Sequence, residues 1–135
     1  MQTKFLSLLA VFLSFNMAAA VTTLGYNLEG PAARVFLTQE LSTVPLFRMY
    51  SAGATDHFYT LSAAERDNAA ANLGYSSEGT AAFIYPTQVC GSVPLFRLYS
   101  SAGTDHFYTT SAAERNNAAQ NLGYNYEGVA GFVLQ

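Results

Sequence analysis

Val44-Pro45-Leu46-Phe47-Arg48 followed by Asp56-His57-Phe58-Tyr59-Thr60 recurs as Val93-Pro94-Leu95-Phe96-Arg97 followed by Asp105-His106-Phe107-Tyr108-Thr109. The offset is 49 residues, and Ser62-Ala63-Ala64-Glu65-Arg66 returns at the same distance as Ser111-Ala112-Ala113-Glu114-Arg115. Glu78-Gly79 recurs forward as Glu127-Gly128 and backward as Glu29-Gly30, while Leu73-Gly74-Tyr75 has its earlier copy at Leu24-Gly25-Tyr26. A period of this length marks one supersecondary unit used repeatedly. The chain therefore divides into a rear half unit (residues 21–43), unit one (44–92) and unit two (93–135).

Within a unit, residues 46–50 alternate as a strand. Pro45 suits a strand start, where its missing N–H does no harm. Residues 51–55 form a turn, which Asp56 is expected to hold through its own backbone, and residues 57–60 return as the second strand of a hairpin. Ser62-Ala63-Ala64-Glu65 is a capping box, opening an alanine-rich helix that Gly74 ends; Ser111, Glu114 and Gly123 repeat the pattern. The Gly-Tyr-x-x-Glu-Gly segments read as turns, each leading into a small-residue rear strand at 31–37, 80–85 or 129–134. The unit is strand–strand–helix–strand, with seven strands in all. Each rear strand is expected to pair with the hairpin that follows it. The fold class is α+β: a pseudo-symmetric repeat domain, mainly antiparallel sheet with two short helices. A three-fold barrel-like ring lacking one front half is the competing architecture.

Residues 1–20 are read as a signal peptide: Lys4 supplies the positive end, residues 5–15 the apolar run, and Ala18-Ala19-Ala20 the small-residue cleavage site before Val21. The run is too short for a membrane span, and no second one exists. A secreted, extracellular chain of 115 residues is expected, with five arginines, nine acids and no lysine. That net charge of −4 argues against nucleic acid and anionic membrane partners. The lone Cys90 excludes an intrachain disulfide and leaves a buried thiol or a cross-linked homodimer.

Alternation places Phe47, Met49 and Phe58 on a core face. It sends Arg48, Tyr50, His57 and Tyr59 to the other face beside Asp56, repeated as Arg97, Tyr99, His106 and Tyr108 beside Asp105. These ten residues form two candidate ligand sites. Tyrosine rings offer flat apolar faces to a sugar, and Asp, Arg and His supply directional hydrogen bonds. The alternative is an internal network in which Arg48 pairs with Glu78 or Asp56 and the other polar groups satisfy one another. Two histidines make poor metal spacing, so neither metal nor cofactor is expected. Ser62 is committed to a cap, and Glu78 and Glu127 occupy equivalent positions, so catalysis is not expected either.

The pattern V-P-L-F-R-x-Y…D-H-F-Y-T-x-S-A-A-E-R…L-G-Y-x-x-E-G resembles a tandem-repeat domain family of uncharacterised function, over residues 24–133. Such units occur in secreted fungal proteins and bacterial surface and cell-wall proteins, often beside peptidoglycan or polysaccharide hydrolases. Family members often carry tryptophan near the Glu-Gly segment; here Tyr75, Tyr124, Tyr126 and Phe83 or Phe132 stand in. The resemblance implies an extracellular, accessory, glycan-directed role and brings no catalytic residues. The expected function is a non-catalytic, lectin-like module binding cell-wall or extracellular glycans through duplicated sites. A secreted structural or protein-interaction protein is the alternative.

Overall fold

The computed structural model describes residues 33–89 and 91–135. The expected signal peptide, its cleavage site, the repeat copies at residues 24–30 and Cys90 lie outside the described residues. Two helices and six strands form two three-stranded antiparallel sheets. The order is β1 (Val44–Ser51), β2 (Asp56–Thr60), α1 (Ala63–Asn72), β3 (Ser76–Ile84), β4 (Ser92–Ser100), β5 (Asp105–Thr109), α2 (Ala112–Asn121) and β6 (Asn125–Leu134).

Each helix begins where its cap is written. Ser62 accepts the Glu65 N–H at 3.1 Å and Ser111 accepts that of Glu114 at 3.2 Å. The reciprocal half of the box is relayed through a third residue. The Ser62 N–H donates to Thr60 Oγ1, and Thr60 Oγ1 donates to Glu65 Oε2. Ser111, Thr109 and Glu114 repeat the relay. Leu73 and Leu122 are the C-caps, each followed by a glycine with positive φ: Gly74 at 74° and Gly123 at 75°.

Sheet order corrects the expected pairing. Each rear strand joins the hairpin that precedes it, giving orders β2-β1-β3 and β5-β4-β6. The helix carries the chain from the β2 edge across to the free edge of β1, so β3 pairs antiparallel with β1 from Val44↔Ile84 onward. The Glu-Gly segments are not loops. They lie inside β3 and β6, where the register shifts and Gly79 and Gly128 take φ of 86° and 124°. A bulge there turns the extra residue out of the ladder and bends the strand.

The expected first rear strand reduces to isolated bridges, leaving six strands among the described residues. Phe36 pairs with Phe83, Tyr85 with Phe132, and Arg34 with Leu134. Residues 34, 83 and 132 are spaced by 49 in sequence, as are 36, 85 and 134, and each bridge joins two of these three segments. Ile84 and Val133 lie fully buried beside this crossing, with Val35 packed against them.

The core has three parts. Leu46, Ile84, Leu95, Tyr108 and Val133 fill the space between the sheets. Met49, Phe58 and Ala69 pack under α1, and Phe96, Leu98 and Ala118 under α2. Alternation thus assigns Met49 and Phe58 correctly, but the opposite face is not all outward. Its near half, Leu46 with Tyr59 and Leu95 with Tyr108, is the inter-sheet core. Phe47 is only half-buried, with the Arg66 guanidinium 4.4 Å above its ring.

Candidate functional site

The two hairpins meet edge to edge, with β2 and β5 as the edge strands. An edge strand offers unpaired backbone groups. Side chains from the opposite unit satisfy them here. Tyr108 Oη accepts the Tyr59 N–H at 2.8 Å and donates to the Tyr59 carbonyl at 2.9 Å. Asp56 Oδ1 accepts the His106 backbone N–H at 2.9 Å. Tyr108, at 5% exposure, holds the joint; Tyr59 stands edge-on to it, ring centroids 5.5 Å apart. Both belong to the expected sugar-contacting set and lie outside the residues that line the cleft described below. They share strand parity with Arg48 and Tyr50, but the facing sheet covers their end of the hairpin.

Asp56 is a further correction. It does not hold its own turn or face His57. Its carboxylate is buried at the joint, where Oδ2 receives Tyr75 Oη and His106 Nδ1, each at 2.6 Å. Burial works to raise its pKa, but the bonds from His106 and Tyr75 outweigh it and hold the group below the ordinary aspartate range. An ionised Asp56 only accepts, so the His106 proton sits on Nδ1 and Nε2 is turned toward Glu127, 3.8 Å away. The same contacts push the Tyr75 hydroxyl far up, through burial first and then the Asp56 carboxylate. The hairpin turns are held by Ser51 and Ser100, whose hydroxyls accept from Ala54 and Gly103.

Arg97 is the second link across the joint. Its Nη1 and Nη2 reach Glu65 Oε2 and Oε1 at 3.1 and 2.8 Å, a bidentate pair, and Nε lies 2.8 Å from Glu127 Oε2. The β6 bulge brings Glu127 to this position. Burial opposes the Glu65 charge, yet the bonds from Arg97 and Thr60 keep its pKa low. The guanidinium also lies 5.4 Å from the Phe58 ring centroid.

Above these contacts opens a cleft of about 410 Å³. Phe58, Ala69, Leu73, Tyr75 and Tyr99 supply apolar walls; Glu65, Asn68, Arg97, His106 and Glu127 supply polar groups. Tyr99 stacks on His106 with ring centroids 4.6 Å apart. Among the described residues, neither the Tyr99 hydroxyl nor Glu127 Oε1 has a hydrogen-bond partner.

Each hairpin keeps its tyrosine against its histidine, with Tyr50–His57 and Tyr99–His106 ring centroids both 4.6 Å apart, while Asp56 leaves its own group for that of the other unit. Arg97, Tyr99 and His106 come together with Asp56 from the other unit. Arg48, Tyr50 and His57 form a separate, more open group with Glu78: Arg48 Nε is 2.7 Å from Glu78 Oε2, and Nη2 donates to His57 Nε2 at 2.8 Å. The Arg48 side chain is 41% exposed against 16% for Arg97. Burial and the Arg48 charge lower the His57 pKa. Asp105 accepts from Tyr124 Oη at 2.6 Å, as Asp56 does from Tyr75. Sequence reasoning missed Glu65, Tyr75 and Glu127 as site residues. Their recurrence was visible, and Glu127 meets Arg97 within its own unit as Glu78 meets Arg48, but nothing in one unit shows that Glu65 serves the arginine of the next. Among the described residues, no His/Cys/Asp/Glu cluster could hold a metal, and no helix is long and apolar enough to cross a membrane.

Fold and cleft define a two-sheet α+β protein whose site is assembled between successive units. The chain belongs to the family described as a domain of unknown function (DUF5648), whose model matches residues 13–134 and so overlaps the expected leader at residues 13–20. No curated protein and no solved structure matches it.

Proposed function

We propose that this protein is a secreted, non-catalytic, lectin-like module that binds cell-wall or extracellular glycans in the cleft between its two units. One observation carries the reading: a largely apolar cleft walled by Phe58, Tyr75 and Tyr99 converges on Arg97, His106 and Glu127. Aromatic faces take the C–H side of a pyranose, and the polar groups take its hydroxyls. Arg48, Tyr50 and His57 form a shallower accessory surface.

The non-catalytic part rests on pairing. Arg97 and Thr60 hold the Glu65 pKa low, which favours a fixed carboxylate over a proton donor, and Glu127 Oε2 lies on the same guanidinium. We further read the units as pseudo-symmetric about the crossing of residues 34–36, 83–85 and 132–134, supported by the cyclic bridges. Secretion rests on the composition of residues 1–20; the N-terminal sequence of exported protein tests it.

A glycan array with wild type, Tyr99→Ala and Tyr50→Ala tests the site. Carbohydrate binding lost in Tyr99→Ala and kept in Tyr50→Ala is expected. No binding by wild type, or undiminished binding by Tyr99→Ala, overturns the assignment.

A structural or protein-interaction role is the second reading. Leu41 at 91% and Leu37 at 56% exposure favour it, being large apolar groups in water. Light scattering and non-reducing electrophoresis, which also reads Cys90, discriminate: a strict monomer at all concentrations counts against self-association.

A further inference from the structure

We propose that the cleft between the units selects sugars carrying a free amine, in the ammonium form, over their N-acetylated and acidic counterparts. This rests on the glycan reading and narrows its ligand class.

The first argument is the sign of charge. Three carboxylates (Asp56, Glu65 and Glu127) surround one guanidinium, Arg97, and one imidazole, His106. Asp56 is buried behind His106 and does not line the cleft; of the charged groups that do, Glu65 and Glu127 outweigh Arg97, so the cleft is net negative while His106 is neutral. A uronic acid would meet that field with like charge, and a neutral sugar would gain nothing from it.

The second argument is where bonding capacity remains. Glu65 spends both oxygens on Arg97, and Thr60 adds a further bond to Oε2. Asp56 is saturated by Tyr75 and by the backbone and ring of His106. Glu127 uses only Oε2, toward Arg97, and its side chain is 31% exposed at the cleft. Its Oε1 is the acceptor left for a charged donor.

The third argument is the wall. Tyr75, Tyr99 and Phe58 line the same space, and aromatic faces attract an ammonium as well as a sugar ring. An ammonium group at Glu127 Oε1 gains a charge-assisted bond that an acetamide N–H at the same place makes only in its weaker, neutral-donor form.

Calorimetry with equal-length oligomers of glucosamine, N-acetylglucosamine and galacturonic acid tests this. The proposal expects the glucosamine oligomer to bind about tenfold or more tightly than the acetylated one, and the uronate weakest. Glu127→Gln is expected to abolish the preference while keeping residual binding of the neutral oligomer. Glu40→Gln, the same charge change outside the cleft, is expected to leave the preference intact, which separates a site effect from the net charge of the chain. Equal or tighter binding of the neutral or acidic oligomer overturns the inference and leaves the glycan reading standing. So does a preference that survives Glu127→Gln or disappears in Glu40→Gln. If none of the three binds, the inference fails. Binding of other sugars on the array then decides whether the glycan reading fails with it.

Discussion

Arg48 and Arg97 are the same residue in near-identical sequence, yet they do different work. Arg97 bonds two carboxylates from two units, in a partly buried setting that rewards a planar, forked donor. Arg48 meets Glu78 in the open and turns its other end to His57. Arg97→Lys is therefore expected to cost about 1–3 kcal/mol, and Arg48→Lys about 0.5 kcal/mol or less. Urea midpoints of the two variants measure the difference, and equal losses would contradict the assigned roles. Tyr59 and Tyr108 form a second such pair. Tyr108→Phe strips the partner from a buried N–H and carbonyl, an expected loss of about 1–3 kcal/mol. Tyr59→Phe removes no side-chain hydrogen bond among the described residues, and the same denaturant series should place it near wild type. These roles were illegible in sequence, because both members of each pair carry the same residue and the same neighbours.

At the scale of elements, most of what lies within one unit was written locally. Ser62 and Ser111 mark helix starts, Gly74 and Gly123 their ends, and alternation finds both hairpins. The bulges at Glu78-Gly79 and Glu127-Gly128 were not legible as strand, because a glycine before a small-residue run reads equally well as a turn. Nor was the pairing of β3 with β1, since a helix between strands permits either neighbour. Close approach is concentrated where the rear strands cross. Gly131 lies in β6 opposite Leu95. A Cβ there would stand 2.5 Å from Ile84 Cδ1 and 3.2 Å from the Tyr85 carbonyl. Gly131→Ala is expected to destabilise by about 1–3 kcal/mol through overpacking. Gly53, with nothing within 4 Å and no positive φ, is the control. Gly53→Ala should be neutral or slightly stabilising by thermal denaturation.

For the whole molecule, the joint and the His57 group together make stability depend on pH in one direction. The His57 pKa lies below its ordinary 6.5, so between that value and the lowered one the unfolded chain binds the extra proton. Stability is full above pH 6.5 and falls as pH drops through the folded His57 pKa. Asp56 and Glu65 are lowered from 3.8 and 4.5. Their contribution is present above those values and is lost as pH falls further, toward their folded pKa values. Melting temperature is expected to decline in two stages on acidification, and His57→Gln to remove the first. A melting temperature that rises on acidification would refute this linkage.

The repeat period, the caps, the hairpins and the strand–strand–helix–strand order follow from the sequence alone, since each depends on residues a few positions apart. Tertiary structure alone decided which face of each hairpin reaches water, that Asp56 serves His106, and that Glu65 serves Arg97. Those contacts join residues 50 and 32 positions apart. They arise because two edge strands with unpaired backbone and charge must be satisfied by one another. A repeated sequence specifies that complementarity twice, and the position of each copy beside its neighbour fixes where it is used.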